Sequence, residues 1–402
     1  MNEIIINPKA SNRWDRINSK MDEYINLGMF PGFVTLVYQH GQIVHEYSGG
    51  LMNIKDNLPV QKNTIFRIYS MSKPLTCTAL MMLFEEGKFF LDEPIFPYIP
   101  EFKDMMVYVG KDDNGIKLEA AQRPITFRHL LTHTAGLGYG FMEGPVEEMY
   151  HQSTVFNWQT LSPLAPIEEI IHIISRLPLA AQPGTRFGYS VANDVIGYLV
   201  KVFSGMPFDE FLKERIFEPL GMADTGFYVP AEKLDRFAAL YNYKDGHLNL
   251  VDPPGGVFSR PPAAAMGGSG MVSTIDDYLL FTRMLLNGGK LNGVNILSRK
   301  TIELMAANHL ASGMLPWAVF PEFPAYGNGY GLGFSVMMDR ALAGALTSNG
   351  TFGWSGAAGT HMFIDPQEDM IGILMTQTNG ITSDPLPPHS DIFQRLVYQA
   401  LD

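Results

Sequence analysis

Between residues 12 and 28 apolar side chains recur at three- and four-residue spacing, which predicts an amphipathic helix. Two β-rich runs follow, Gly32 to Tyr38 and Gln42 to Tyr47, on either side of His40 and Gly41, and they predict a hairpin. Near the other end Gly359 to Ile364 and Met370 to Thr376 flank Asp365-Pro-Gln-Glu-Asp369, again two strands about a turn, before a final helix at about 389 to 401. The middle differs, because residues from about 91 to 250 carry mostly helical periodicity, with segments near 126 to 133, 166 to 176, 191 to 204 and 208 to 216. Asp252 to Gly270 is so rich in Pro and Gly that it reads as a connection, and Asp276 begins another helix. The pattern predicts a strand-rich body built from residues 1–90 and 265–402, with a mainly helical lobe, 91–264, inserted between. A site at the seam lies within reach of both.

The chain has 402 residues, 46% hydrophobic, 12% aromatic and 17% charged, which describes a globular protein too long for one small core. Its net charge of −12 opposes binding to a polyanion, so nucleic acid is not an expected partner. The single cysteine, Cys77, sits in an apolar helical stretch and reads as a buried thiol. Met1 to Asp15 shows no basic stretch leading into a long apolar run, and no apolar run approaches the ~20 residues of a membrane span, so a soluble cytoplasmic protein is expected. The 10 histidines form no H-E-x-x-H, and neither a phosphate-binding loop nor a dinucleotide fingerprint occurs, so no metal or other cofactor is implied.

Three stretches could carry chemistry. Ser70-Met-Ser-Lys73 opens the apolar run Leu75 to Phe84, which puts Ser70 at a helix start and Lys73 one turn later on the same face. A serine hydroxyl becomes a good nucleophile only when a neighbouring base takes its proton, and a lysine does so only when uncharged. The spacing alone is also what an N-cap serine followed by a solvated lysine gives. Tyr189, in Gly188-Tyr-Ser-Val-Ala-Asn-Asp194, falls at a loop-to-helix junction where it could relay a proton or simply fill the core. Gly353-Trp-Ser-Gly-Ala-Ala-Gly-Thr360 leads into a strand, and its small residues allow close backbone approach to a ligand. Gly353-x-Ser355-x-Ala357 nearly matches a nucleophile elbow with His361 close by, but an elbow leads into a helix, not a strand. His129 and His133 read as hydrogen-bonded helix residues.

The order of these stretches resembles the serine β-lactamase and penicillin-binding-protein superfamily, and within it class C β-lactamases and family VIII carboxylesterases. Further signatures are Ile125-Thr-Phe-Arg-His-Leu-Leu-Thr-His-Thr-Ala-Gly136, Pro219-Leu-Gly-Met-Ala-Asp-Thr-Gly226, Gly268-Ser-Gly-Met-Val-Ser-Thr274 and Tyr330-Gly-Leu-Gly-Phe334. The resemblance implies an α/β (α+β) protein of β-lactamase-like fold, an antiparallel sheet flanked by helices with an inserted helical lobe. It also implies Ser70 as acyl-accepting nucleophile, Lys73 and Tyr189 as the proton-handling pair, and backbone N–H groups of Ser70 and Ala357 as the oxyanion hole. Tyr189 is followed by Ser190-Val191 where lactamases have Tyr-x-Asn, and Trp354-Ser355-Gly356 replaces their Lys-Thr-Gly. A cation there binds a carboxylate, whereas tryptophan offers an apolar face to an uncharged ester. The expected activity is therefore hydrolysis of a small-molecule carboxylic ester, short-chain, with Trp354, Ser355 and Gly356 on the substrate. A β-lactamase or D-Ala-D-Ala peptidase, an acyltransferase and a non-catalytic penicillin-binding-like sensor are the alternatives. The loops 141 to 165 and 312 to 331, with Trp158, Trp317, Phe323, Tyr326 and Tyr330, either wall the pocket or pack the lobe.

Overall fold

Apolar residues in both alternating registers of β1 (Gly32–Gln39) suit a strand covered on its two faces, and this strand lies inside the main sheet. The computed structural model describes residues 8–113, 115–379 and 388–401, with side chains described from residue 13 on. The sheet further contains β2 (Gln42–Asn53), β3 (Leu58–Pro59), β4 (Asn328–Tyr330), β5 (Ser335–Met337), β6 (Phe352–Ser355), β7 (His361–Asp365) and β8 (Met370–Met375). Their spatial order is β4-β5-β6-β7-β8-β1-β2-β3, every neighbouring pair antiparallel. The two ends of the chain thus meet at the β1–β8 ladder, where Val34 lies opposite Met375 and Gln39 opposite Met370.

Each sheet face is closed by helices. Phe33, Val37, Phe363 and Leu374 pack with Ile17, Met21 and Tyr24 of α1 (Pro8–Asn26) and with Phe393 and Val397 of α5 (His389–Ala400). Val34, Leu36, Ile364, Ile371 and Ile373 face the other way and join the large core with α2 (Ser72–Glu85), α3 (Ala192–Ser204) and α4 (Ile275–Leu286). Each side chain of this size stabilises the fold by about 1.5–3 kcal/mol when fully buried. Thr274 caps α4 by accepting from the Asp277 N–H at 3.2 Å, and Gly205, at φ +71, ends α3 in the left-handed region.

The helices expected in the middle form at Phe127–Leu131, Ile167–Arg176, Ala192–Ser204 and Phe208–Leu212, the last running on through a wide turn, Lys213–Phe217. Hairpins interrupt the helical pattern there, the two longer ones being Met106–Asp112 with Gly115–Ala120, then Leu240–Lys244 with His247–Asp252. The second is pinned to the C-terminal part of the chain, because Thr378–Asn379 pairs with it in parallel. Beyond Asp252, which still ends the second hairpin, the connection to Gly270 is irregular apart from one short turn, Val257–Ser259, as its composition predicts. Among the described residues no helix is long and apolar enough to cross a membrane; the leader reading rests partly on residues 1–7, which lie outside them.

Candidate active site

Ser70 does not begin the helix, as its spacing predicts; it sits in the preceding tight turn, Tyr69–Met71, and α2 starts at Ser72. The reason is Tyr69, whose φ of +40 breaks helical geometry at some cost in backbone strain. The turn is gripped from several distant parts of the chain. Ile68 N–H donates to Met271 O at 3.0 Å, Met271 N–H donates to Ser72 Oγ at 3.2 Å, and Tyr278 Oη of α4 donates to Met71 O at 2.8 Å.

Just upstream, Arg67 is fully buried; its Nε donates to Asp252 Oδ2 at 3.1 Å, its Nη1 to Ala238 O at 2.6 Å, and its backbone exchanges hydrogen bonds with the Gln377 side chain. The Pro/Gly-rich connection and the chain beyond β8 are thereby tied to the Ser70 turn.

Lys73, the second residue of α2, has no exposed surface. Its Nζ donates to Ser70 Oγ at 3.2 Å and to Gly268 O at 2.7 Å. Tyr189 Oη donates to the same Ser70 Oγ at 2.7 Å, and the Tyr189 ring centroid is 4.6 Å from Lys73 Nζ. The tyrosine is delivered by a loop stitched to the 133–138 segment: Gly188 N–H donates to His133 O at 2.7 Å and Val191 N–H to Gly138 O at 3.2 Å. His133 Nδ1 is 3.2 Å from Ser190 Oγ and its ring lies 4.8 Å from that of Tyr189. Burial, helped by the neighbouring Lys73 charge, holds this imidazole well below its ordinary pKa, so it packs as a neutral ring. His129 completes a capping box with Thr126, and burial pushes Cys77 up to about 12, the state of an inert thiol.

β6 brings the third stretch against this turn. Gly356 N–H donates to Thr360 O at 2.8 Å, closing a tight loop, and Ala357 lines the same cavity as Ser70. A Cβ on Gly356 would stand 2.4 Å from Ile68 O, which is why only glycine fits. Trp354 packs on Tyr189, Tyr330 and a stacked Trp317, at ring distances of 5.8, 5.3 and 5.9 Å. Strand pleating turns Ser355 to the face opposite Trp354, where its Oγ is 2.8 Å from His361 Nδ1. No helix follows it, so the elbow geometry is absent; Ser355 lines the cavity together with Trp354 and Gly356.

The cavity above Ser70 has a volume of about 930 Å³. Trp317, Phe320, Phe323, Tyr326 and Leu346 line it, while Trp158 and Tyr330 do not: the former packs on Tyr139 and Phe156, the latter under Trp354. From the 141 to 165 loop only Phe141 reaches it. Among the described residues no cluster of His, Cys, Asp and Glu is arranged to hold a metal ion. Gly268, Asp194 and Tyr139, which lie around Lys73, were not among the expected site residues, although Gly268 and Asp194 each fall within a stretch already singled out.

The antiparallel sheet, its helical covers and the Ser-Lys-Tyr cluster define a serine hydrolase fold of the β-lactamase type. The beta-lactamase family model matches residues 17–392, and the chain belongs to that family. It is 34% identical over 368 residues to protein Rv1367c of Mycobacterium tuberculosis, covering 90% of each chain. It is 28% identical over 391 residues to esterase EstB of Burkholderia gladioli, again over 90% of each. Among solved structures it superposes on EstCE1, a hydrolase with promiscuous acyltransferase activity, with a TM-score of 0.80 and 26% identity, covering 98% of this chain and 99% of that one. The relatives support the family VIII esterase-like branch of the superfamily.

Proposed function

We propose that this protein hydrolyses carboxylic esters through an acyl-enzyme on Ser70. The observation that carries the reading is the convergence of two proton-handling groups on one oxygen: Tyr189 Oη at 2.7 Å and Lys73 Nζ at 3.2 Å from Ser70 Oγ. Ser70 attacks the ester carbonyl and gives up its proton to this pair, which returns it to the departing alkoxide; water then repeats the sequence on the acyl group. The backbone N–H groups of Ser70 and Ala357 stabilise the oxyanion. Trp354 and its aromatic neighbours favour an uncharged substrate over the carboxylate of a β-lactam. The cavity also has room beyond the short acyl chain expected from sequence, so bulk on either side of the ester is tolerated.

Fluorophosphonate labelling followed by peptide mapping is expected to put the adduct on Ser70 and to give none in Ser70→Ala. An adduct on Ser355, or unchanged labelling without Ser70, sinks the mechanism. Parallel assays with p-nitrophenyl butyrate and nitrocefin separate esterase from lactamase, the butyrate being the expected substrate. EstCE1's acyltransferase activity favours acyl transfer as the second reading; product analysis with added alcohols measures it.

A further inference from the structure

Asp194, in the first turn of α3, is buried with no exposed surface. Its Oδ1 accepts from the Gly268 N–H at 2.8 Å, and its Oδ2 has no hydrogen-bond donor from the protein. A buried carboxylate left half-satisfied is expensive, so it calls for a counter-charge. The group at hand that becomes a cation on taking up a proton is Lys73, whose Nζ is bonded at 2.7 Å to the carbonyl of the same Gly268. The two side chains are not in direct ion-pair contact; one glycine residue stands between them, bonded to the carboxylate through its N–H and to the lysine through its C=O.

The backbone is built for this approach. A Cβ on Gly268 would lie 3.0 Å from Asp194 Oδ2, and one on Gly267 would lie 2.4 Å from Asn193 O, so both glycines let the connection press onto the start of α3. Thr76 of α2 holds the same segment by donating to Gly267 O at 2.8 Å.

The geometry points to Asp194 as a positioning residue for the acyl-transfer reaction, acting on Lys73 through Gly268 as the orienting and charge-balancing member of a Ser-Lys-Asp relay. This deepens the Ser70 reading and rests on it. When the proton of Ser70 reaches Lys73, an ammonium forms on a side chain with no exposed surface; the Asp194 carboxylate balances that charge and keeps Gly268 O aimed at Nζ. The titratable groups around the pair are Lys73 and Cys77 on α2, Tyr139 on the neighbouring loop, and Tyr189 and His133 beyond the lysine. Burial lifts the Asp194 carboxyl to about 6, the Lys73 charge and the Gly268 N–H only partly offsetting it, so acid neutralises it in a range where a solvated aspartate would stay charged. Burial keeps His133 well below its ordinary value and lifts Tyr139 and Cys77 above theirs, so none of these three titrates there.

The test measures the rate of Ser70 phosphonylation by a fluorophosphonate, and kcat and KM for p-nitrophenyl butyrate, from about pH 5 to about pH 8. Wild type is expected to lose activity as pH falls through about 6. Asp194→Asn keeps an acceptor for the Gly268 N–H but not the charge; it is expected to lower kcat roughly a hundredfold with KM little changed, and to abolish that acid limb. Asp194→Glu restores part of the rate and the limb. A folded Asp194→Asn with wild-type kcat, or with the limb intact, overturns the proposal. Should that variant not fold, a flat wild-type profile between about pH 7 and about pH 5 overturns it equally. Absence of any adduct on Ser70 at every pH is a different failure, that of the nucleophile assignment itself.

Discussion

Gly356→Ala is a sharp probe of the proposed oxyanion hole, because it alters no polar group. The new Cβ would stand 2.4 Å from Ile68 O and 2.2 Å from Thr360 Oγ1. Thr360 Oγ1 belongs to a side chain that can rotate, but Ile68 O is backbone in the residue that leads into the Ser70 turn. Ordinary contact begins at 3.4 Å, so the end of β6 must withdraw by 3.4 − 2.4, or about 1.0 Å. That movement separates Ala357 N–H from Ser70 N–H, the two donors that must converge on one oxygen. Misplacement by about 1 Å costs roughly a hundredfold in rate, and loss of one oxyanion donor costs ~100–1000-fold. A kcat about a hundredfold below wild type is therefore expected, with KM changed far less because the cavity walls stay in place. Overpacking should lower stability by only about 1–3 kcal/mol, so the variant remains folded. Steady-state kinetics on p-nitrophenyl butyrate, paired with thermal melts, checks both numbers. A folded Gly356→Ala whose kcat lies within about threefold of wild type refutes the placement of the second donor on this strand.

Other perturbations address charge, pocket and pH. Arg67→Met strands Asp252 without its partner and is expected to lower unfolding free energy by about 3–5 kcal/mol in urea titrations. Adding Asp252→Leu should recover most of that, and a single-variant loss under about 1 kcal/mol would contradict a buried ion pair. Trp354→Lys puts a cation into the aromatic wall; p-nitrophenyl butyrate kcat/KM should fall roughly tenfold while nitrocefin turnover rises, and unchanged preference would remove Trp354 from substrate selection. His45, buried against Thr35, is lowered by burial from 6.5 to about 4. The unfolded chain therefore takes up this proton first, and stability drains as pH falls from about 6.5 to about 4, by up to about 1.4 kcal/mol per unit. His45→Gln should flatten the slope of unfolding free energy in that window; an unchanged slope assigns it to other groups.

The elements that the sequence exposes are those with clean periodicity. Phe33 and Val37 against Val34 and Leu36 write a two-sided strand, and α1 and α5 are legible from their stripes. The hairpin at 240–252 carried its own signal in Asp245-Gly246, whose φ values of +53 and +79 suit a tight turn. Its strands alternate weakly, since one face lies open to solvent, and the helical rhythm around them dominates the reading. Ser70, Lys73 and Tyr189 stood out as candidates through the order of their motifs and the resemblance it carries, since the Ser70–Lys73 spacing alone also fits a capped helix start. Ser355 appeared beside Trp354 in sequence, yet pleating sends it to the other face. Asp194 and Gly268 are separated by more than seventy residues, and only the packing of α3 on the connection brings them together.

The grip on the Ser70 turn has a consequence for synthesis. Its contacts come from Asp252, Met271, Tyr278, Gly356 and Gln377, all translated long after Ser70 itself. A nascent chain emerging from the ribosome carries Ser70, Lys73 and Tyr189 early, but the contacts that hold the Ser70 turn and its approach are not all made until residue 377 is free to fold. An N-terminal fragment ending before Gln377 lacks part of this grip, and a split placed between Arg67 and Gln377 parts the turn from some of the residues that hold it. The full grip on the turn therefore comes only with the finished fold.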